Sequence, residues 1–185
     1  MKIRNTLHSR AIPTWILCTV FLGGCTKEQQ EELKLEAEVL MEYRELEFTL
    51  APTDVIGETQ LTISLDGQAL SRTLTENGYS MDQLKEFVFT SADLRLPTDA
   101  TLNYDPFQRV HLNLSVDGGT AVPLASKDPV PDGVQALTLD VVTTNVAEIL
   151  RHEHIQVTAI LATDQAITDT MHHVLDLSGR VVVKL

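Results

Sequence analysis

The sequence predicts an all-β protein, an antiparallel β-sandwich of immunoglobulin-like or jelly-roll-like type with one or two short helical turns. Three observations lead there. From residue 33 onward, apolar residues recur with period 2, the signature of strands buried on one face. The runs stop at Asp-Gly, Asn-Gly or Pro, residues suited to tight turns. No helical pattern of about 10–15 residues links the runs, as a parallel α/β sheet requires. At 43% hydrophobic and 22% charged, the chain has enough apolar material for a core.

The first run decides between composition and periodicity. Residues 31–50 are rich in helix formers, yet Leu33, Leu35, Ala37, Val39, Met41 and Tyr43 alternate strictly, with Leu40 the one violation. On a helical wheel the same residues scatter around the circle. The expectation is a strand, a slip in phase, and a second stretch through Leu46, Phe48 and Leu50; the competing reading of residues 33–48 is a helical stalk. Leu61, Ile63 and Leu65 then alternate up to Asp66-Gly67, and Val88 to Leu96 alternate up to Pro97. Val110, Leu112, Leu114 and Val116 lead into Asp117-Gly118-Gly119. Leu137, Leu139 and Val141 follow Asp132-Gly133, and Ile155, Val157, Ala159 and Leu161 end before Asp164. Val174 to Leu177 and Val181 to Leu185, either side of Ser178-Gly179, read as two closing strands. Ser80 with Gln83, and Asn145 with Glu148, have the cap spacing of short helical turns.

The N-terminus has a different character. Lys2, Arg4 and Arg10 stand without an acid in the first ten residues, and Ala11 to Leu22 is apolar. A basic start, an apolar stretch too short to span a bilayer comfortably, and small residues at the break mark a signal peptide over residues 1–24. Leu22-Gly23-Gly24-Cys25 resembles the lipobox of bacterial lipoproteins at all four positions. The resemblance implies cleavage before Cys25 and lipidation of that residue, leaving 25–32 as a lipidated tether and 33–185 as a single β-sandwich domain. Each buried CH₂ contributes roughly 0.8 kcal/mol, so two or more acyl chains give durable anchoring. In such lipoproteins an Asp after the Cys favours the inner membrane; Thr26 stands there instead, implying the outer membrane, on either its periplasmic or its surface face. Lys27-Glu28 and Glu31-Glu32 resemble the charged signals with which some bacteria display lipoproteins at the surface. The only other cysteine, Cys18, falls within the signal peptide, so the domain is expected to fold without thiol or disulfide.

Charge narrows the partners. The chain has 14 Lys+Arg against 26 Asp+Glu and a net charge of −12, with no clustered cations for phosphates, so no nucleic-acid partner is expected. His152 and His154 lie two apart at a strand entry and are the candidate metal ligands. His172 and His173 are adjacent, so on a strand they face opposite ways, and no zinc signature accompanies either pair. His111 alternates with Leu112 and is expected to face solvent. Asp66, Asp117 and Asp132 precede Gly and read as turn residues rather than a calcium loop. No nucleophile elbow, phosphate loop or dinucleotide fingerprint occurs. After Trp15 there is no Trp, which disfavours a sugar-stacking surface. The loop from Asn103 to Arg109 offers Tyr104, Phe107 and Arg109 as a candidate contact patch, against the alternative that its rings cap the core.

Residues 81–185 resemble, in pattern alone, the single-domain β-sandwich lipoproteins of bacterial envelopes. The shared pattern is a strand ending in Pro97, a strand before Asp117-Gly118, a turn over Asn145–Leu150 and two final strands. The resemblance implies a fold and no activity. The expected function is a non-enzymatic binding or scaffolding accessory without a cofactor, attached to the membrane through the lipid on Cys25 and working with an envelope protein partner. The alternatives are a small-molecule or metal-binding receptor using His152 and His154, and a hydrolase using dispersed acids.

Overall fold

Two antiparallel sheets face each other across one apolar core. The computed structural model describes residues 36–98, 101–116 and 119–185, all within one compact unit. Residues 1–24, expected as a signal peptide, with Cys18, and residues 25–32, expected as a tether, with Cys25, lie outside the described residues, as do Leu33, Leu35 and Asp117-Gly118. The strands are β1 (Glu36–Leu50), β2 (Gly57–Asp66), β3 (Leu84–Arg95), β4 (Phe107–Val116), β5 (Val122–Lys127), β6 (Ala136–Thr138), β7 (Asp140–Val141), β8 (His154–Thr163) and β9 (Met171–Lys184). One sheet has the order β1-β9-β3-β6 and the other β2-β8-β4-β5-β7. The all-β sandwich expected from period 2 is the observed architecture.

β1 follows the sequence pattern through its irregularity. Val39, Met41 and Tyr43 point inward, then Phe48 and Leu50 do. The phase changes at a bulge between Tyr43 and Leu46, in register with Leu177 and Leu175 of β9. Glu45 takes a positive φ of 56° there, and its backbone N–H donates to Asp176 Oδ1 at 2.7 Å. An extra residue in one strand turns successive side chains to the other face, which a bulge absorbs without breaking the ladder. Period 2 thus prevails over helix-forming composition, and residues 36–48 are strand rather than stalk.

Four elements differ from the sequence expectation. First, the chain does not close on two strands: β9 is one continuous strand of 14 residues, and Gly179 lies inside it rather than in a turn. Second, residues 136–141 form two short strands on different sheets, with β6 on β3 and β7 on β5. Third, β5 was not foreseen, because Pro123 interrupts its pattern; it lies between β4 and β7. Fourth, Ala69–Glu76 is an α-helix, α1. Leu70 and Leu74, one turn apart, are both fully buried, and the helix stops at Asn77 before Gly78 at φ +83°. Eight residues carrying Ser and Thr, with no side-chain cap, give too weak a helical signal to read in advance.

The two foreseen turns form differently. Ser80 and Gln83 make a capping box around the 3₁₀ turn Met81–Gln83. Asn145 instead accepts from Ala147 N–H at 3.0 Å and from Phe87 N–H at 3.1 Å, tying its loop to β3, and the 3₁₀ turn begins later, at Ile149. At Asp66-Gly67 the Asp carboxylate accepts from Gln68 N–H at 2.9 Å and pairs with Arg72 at 2.5 Å. Those bonds stabilise the charged form, and the Arg72 contact chiefly holds the Asp66 carboxyl below its usual pKa. Gly67 serves close approach, since a Cβ there would meet the backbone of Glu153.

Candidate functional site

The residues proposed as a contact patch divide between core and surface. Tyr104 is fully buried and Phe107 is 3% exposed, so neither ring offers a surface, and the contact-patch reading of this pair is corrected: the rings cap the core. Phe107 starts β4 out of strict alternation with the inward Val110, Leu112 and Leu114, and the register shift between Phe107 and Arg109 turns it inward. Arg109 alone reaches the surface, where it pairs with Glu58 at 2.5 Å. Such an exposed pair contributes at most about 1 kcal/mol.

Tyr104 and Phe107 belong to a buried aromatic box built around His173. The imidazole stacks on Phe48, its cross-strand partner, with centroids 4.7 Å apart and planes at 12°. Phe107 meets it edge-on at 6.0 Å, and Tyr104 lies at 5.7 Å. The Tyr104 hydroxyl lies 3.2 Å from His173 Nδ1. With the phenol donating, Nδ1 accepts and the imidazole proton sits on Nε2, which has no hydrogen-bond partner among the described residues. Burial depresses the His173 pKa to about 4, assisted by neighbouring His172, so the ring is neutral. Burial likewise pushes the Tyr104 phenol above its ordinary value and the Tyr43 phenol up to about 12. Phe48 and His173 come from one sheet, Phe107 from the other and Tyr104 from the loop between β3 and β4, so the box joins both sheets to that loop.

The other histidines disperse. His172 faces solvent opposite His173, with Nδ1 3.2 Å from Thr49 Oγ1. His152 and His154 are both exposed, His154 opposite Asp66 at the start of β8. Among the described residues no three His, Cys, Asp or Glu side chains form a group that could hold a metal ion. His111 is partly exposed on β4.

What sequence reasoning missed is the end of the sandwich above the aromatic box. The described residues of four connections meet there: 51–56, 96–98 with 101–106, 128–135 and 164–170. Thr53 and Ile167 exchange backbone hydrogen bonds at 2.9 Å in both directions. Tyr104 N–H donates to Val134 O and Leu96 N–H to Gln135 O, both at 2.9 Å, and Asp164 N–H to Pro106 O at 3.2 Å. Gly133, at φ +70°, donates its N–H to the Asp105 carboxylate. Two adjoining clefts, of about 420 and 150 Å³, share Thr101, Leu102 and Asp169 in their walls. The signal was present in the sequence as Asp-rich segments, but only the strand order brings them to one end.

No protein-family model matches this chain, and no curated protein matches it. Among the described residues, no helix is long and apolar enough to cross a membrane.

Proposed function

We propose that this chain is a bacterial envelope lipoprotein, anchored in the outer membrane by lipid on Cys25, whose sandwich acts as a non-enzymatic binding or scaffolding accessory to another envelope protein. The observation that carries the reading is the basic start and apolar run ending in Leu22-Gly23-Gly24-Cys25. The acids that follow, from Glu28 to Glu47, support a domain held in solvent: anionic headgroups repel them, so the lipid alone provides attachment.

Metabolic labelling with a palmitate analogue tests the anchor. Wild-type protein should incorporate label and partition into the detergent phase, and Cys25→Ser protein should do neither. Unchanged labelling of the Ser variant would refute lipidation at Cys25. Equal partition of both forms would show that something other than this lipid holds the protein.

A further inference from the structure

We infer that the loop-bearing end of the sandwich is a docking surface for a cationic, apolar-tipped segment of a partner protein. The inference rests on the binding-accessory reading and gives it a place and a partner chemistry.

The first support is a preorganised apolar ridge. Val55 and Ile56 are 70% and 61% exposed, although the segment carrying them is tied down on both sides. Thr53 is bridged to Ile167, Val55 N–H donates to Thr53 Oγ1 at 3.1 Å, and Gly57 N–H donates to Thr163 Oγ1 at 3.3 Å. Exposed apolar side chains cost solubility, and a segment already ordered before binding loses little entropy on contact. Ile167, bonded to the ridge segment, also lines the smaller of the two clefts, so ridge and clefts form one surface.

The second support is charge of one sign. Among the described residues the four segments carry Asp54, Asp105, Asp128, Asp132, Asp164 and Asp169, and no Lys, Arg or His. None of these carboxylates forms an ion pair there. The cations at the adjoining strand ends are already engaged: Arg95 with Asp176 at 3.4 Å, Arg109 with Glu58, and Lys127 with Asp140 at 3.5 Å. The carboxylates do not converge into a group that could hold a metal ion, so the field is spread over the end rather than focused at a point. A negative field spread over the same end as an apolar ridge complements an extended segment bearing Lys or Arg beside an apolar side chain. An anionic membrane surface, or a second copy of the same acidic end, meets repulsion instead.

The third support is position. β1 runs 15 residues from Glu36 to Leu50, about 45–50 Å of strand, and the ridge follows directly after it. The docking end is therefore the end opposite Glu36, through which the chain leads back to Cys25.

Photocrosslinking in the native cells tests the inference on the full chain. A benzophenone amino acid is placed at Val55, and in parallel at Leu40 and Val142, which are exposed elsewhere. The expected result is an adduct from position 55 in which the partner peptide contains Lys or Arg. Replacing Asp54, Asp164 and Asp169 together by Asn should lower its yield roughly tenfold, in line with lost electrostatic steering. An adduct from Leu40 or Val142 alone would overturn the surface while leaving the binding reading intact. Folded protein without an adduct at any position would overturn both. An acidic partner peptide, or a yield indifferent to the Asn substitutions, would overturn the cationic assignment.

Discussion

Lowering the pH from 6.5 to 4 should remove about 3 kcal/mol of folding stability through His173 alone. The sign follows from the direction of the shift. In the unfolded chain the imidazole takes up a proton near its ordinary pKa of 6.5, and in the folded protein only near 4. Between those values the unfolded state binds more protons, so acid favours unfolding. The contribution is fully present above 6.5 and is lost progressively down to 4. Urea denaturation at pH 7, 5.5 and 4.5 should show it as a falling midpoint. The Tyr104→Phe/His173→Phe double variant should lack this component while keeping stability close to wild type at pH 7. It removes donor and acceptor together and retains an aromatic ring against Phe48. His173→Phe alone should cost about 1–3 kcal/mol at pH 7, because it strands the buried Tyr104 hydroxyl. A double variant as acid-sensitive as wild type would place the sensitivity on the carboxylates instead.

Gly179→Ala should destabilise the protein by about 1–3 kcal/mol at every pH, and Gly179→Val by more. Gly179 faces the core from the middle of β9, and the Phe87 ring lies across it. A Cβ at this position would overlap Cε1 and Cζ of that ring and come within 3.2 Å of the Val88 carbonyl oxygen. Phe87 has no room to withdraw: it is fully buried, and its ring meets Phe89 edge-on at 4.9 Å. Phe87→Leu should cost stability in the wild-type background and less in the Gly179→Ala background, since the shortened side chain vacates the space the new methyl needs. Denaturant midpoints of the four proteins in this cycle measure the coupling. Strictly additive losses would mean that the glycine is kept for some other reason.

Gly179 also shows where sequence reasoning stops. Beside Ser178 it has the composition of a turn, and nothing local distinguishes a turn glycine from one lying under an aromatic ring two strand positions away. The ring comes from β3, remote in sequence, and only pairing brings the two together. Tyr104 and Phe107 failed as a contact patch for a related reason. Two rings and an Arg in a loop look alike in sequence whether the rings point out or in; here the register of β4 on β8 sets the direction of Phe107, and the bond from Tyr104 N–H to Val134 O holds the loop that carries Tyr104. His173 was legible as facing away from His172, because alternation alone requires it. That its face is the interior was not.

The sequence by itself determined the class of fold, most strand positions and the bulge in β1. Those features depend on period 2 and on turn residues, which are properties of neighbours along the chain. The run ending at Cys25, on which the proposed location rests, is likewise a pattern of neighbours along the chain. Tertiary structure alone decided that residues 136–141 divide between two sheets, that His173 is a buried core residue, and that the Asp-bearing segments lie at the same end of the sandwich as Val55 and Ile56. Each depends on strand order and register, where side chains far apart in sequence share one volume. A linear pattern says which face of a strand is apolar; only packing says what lies against it.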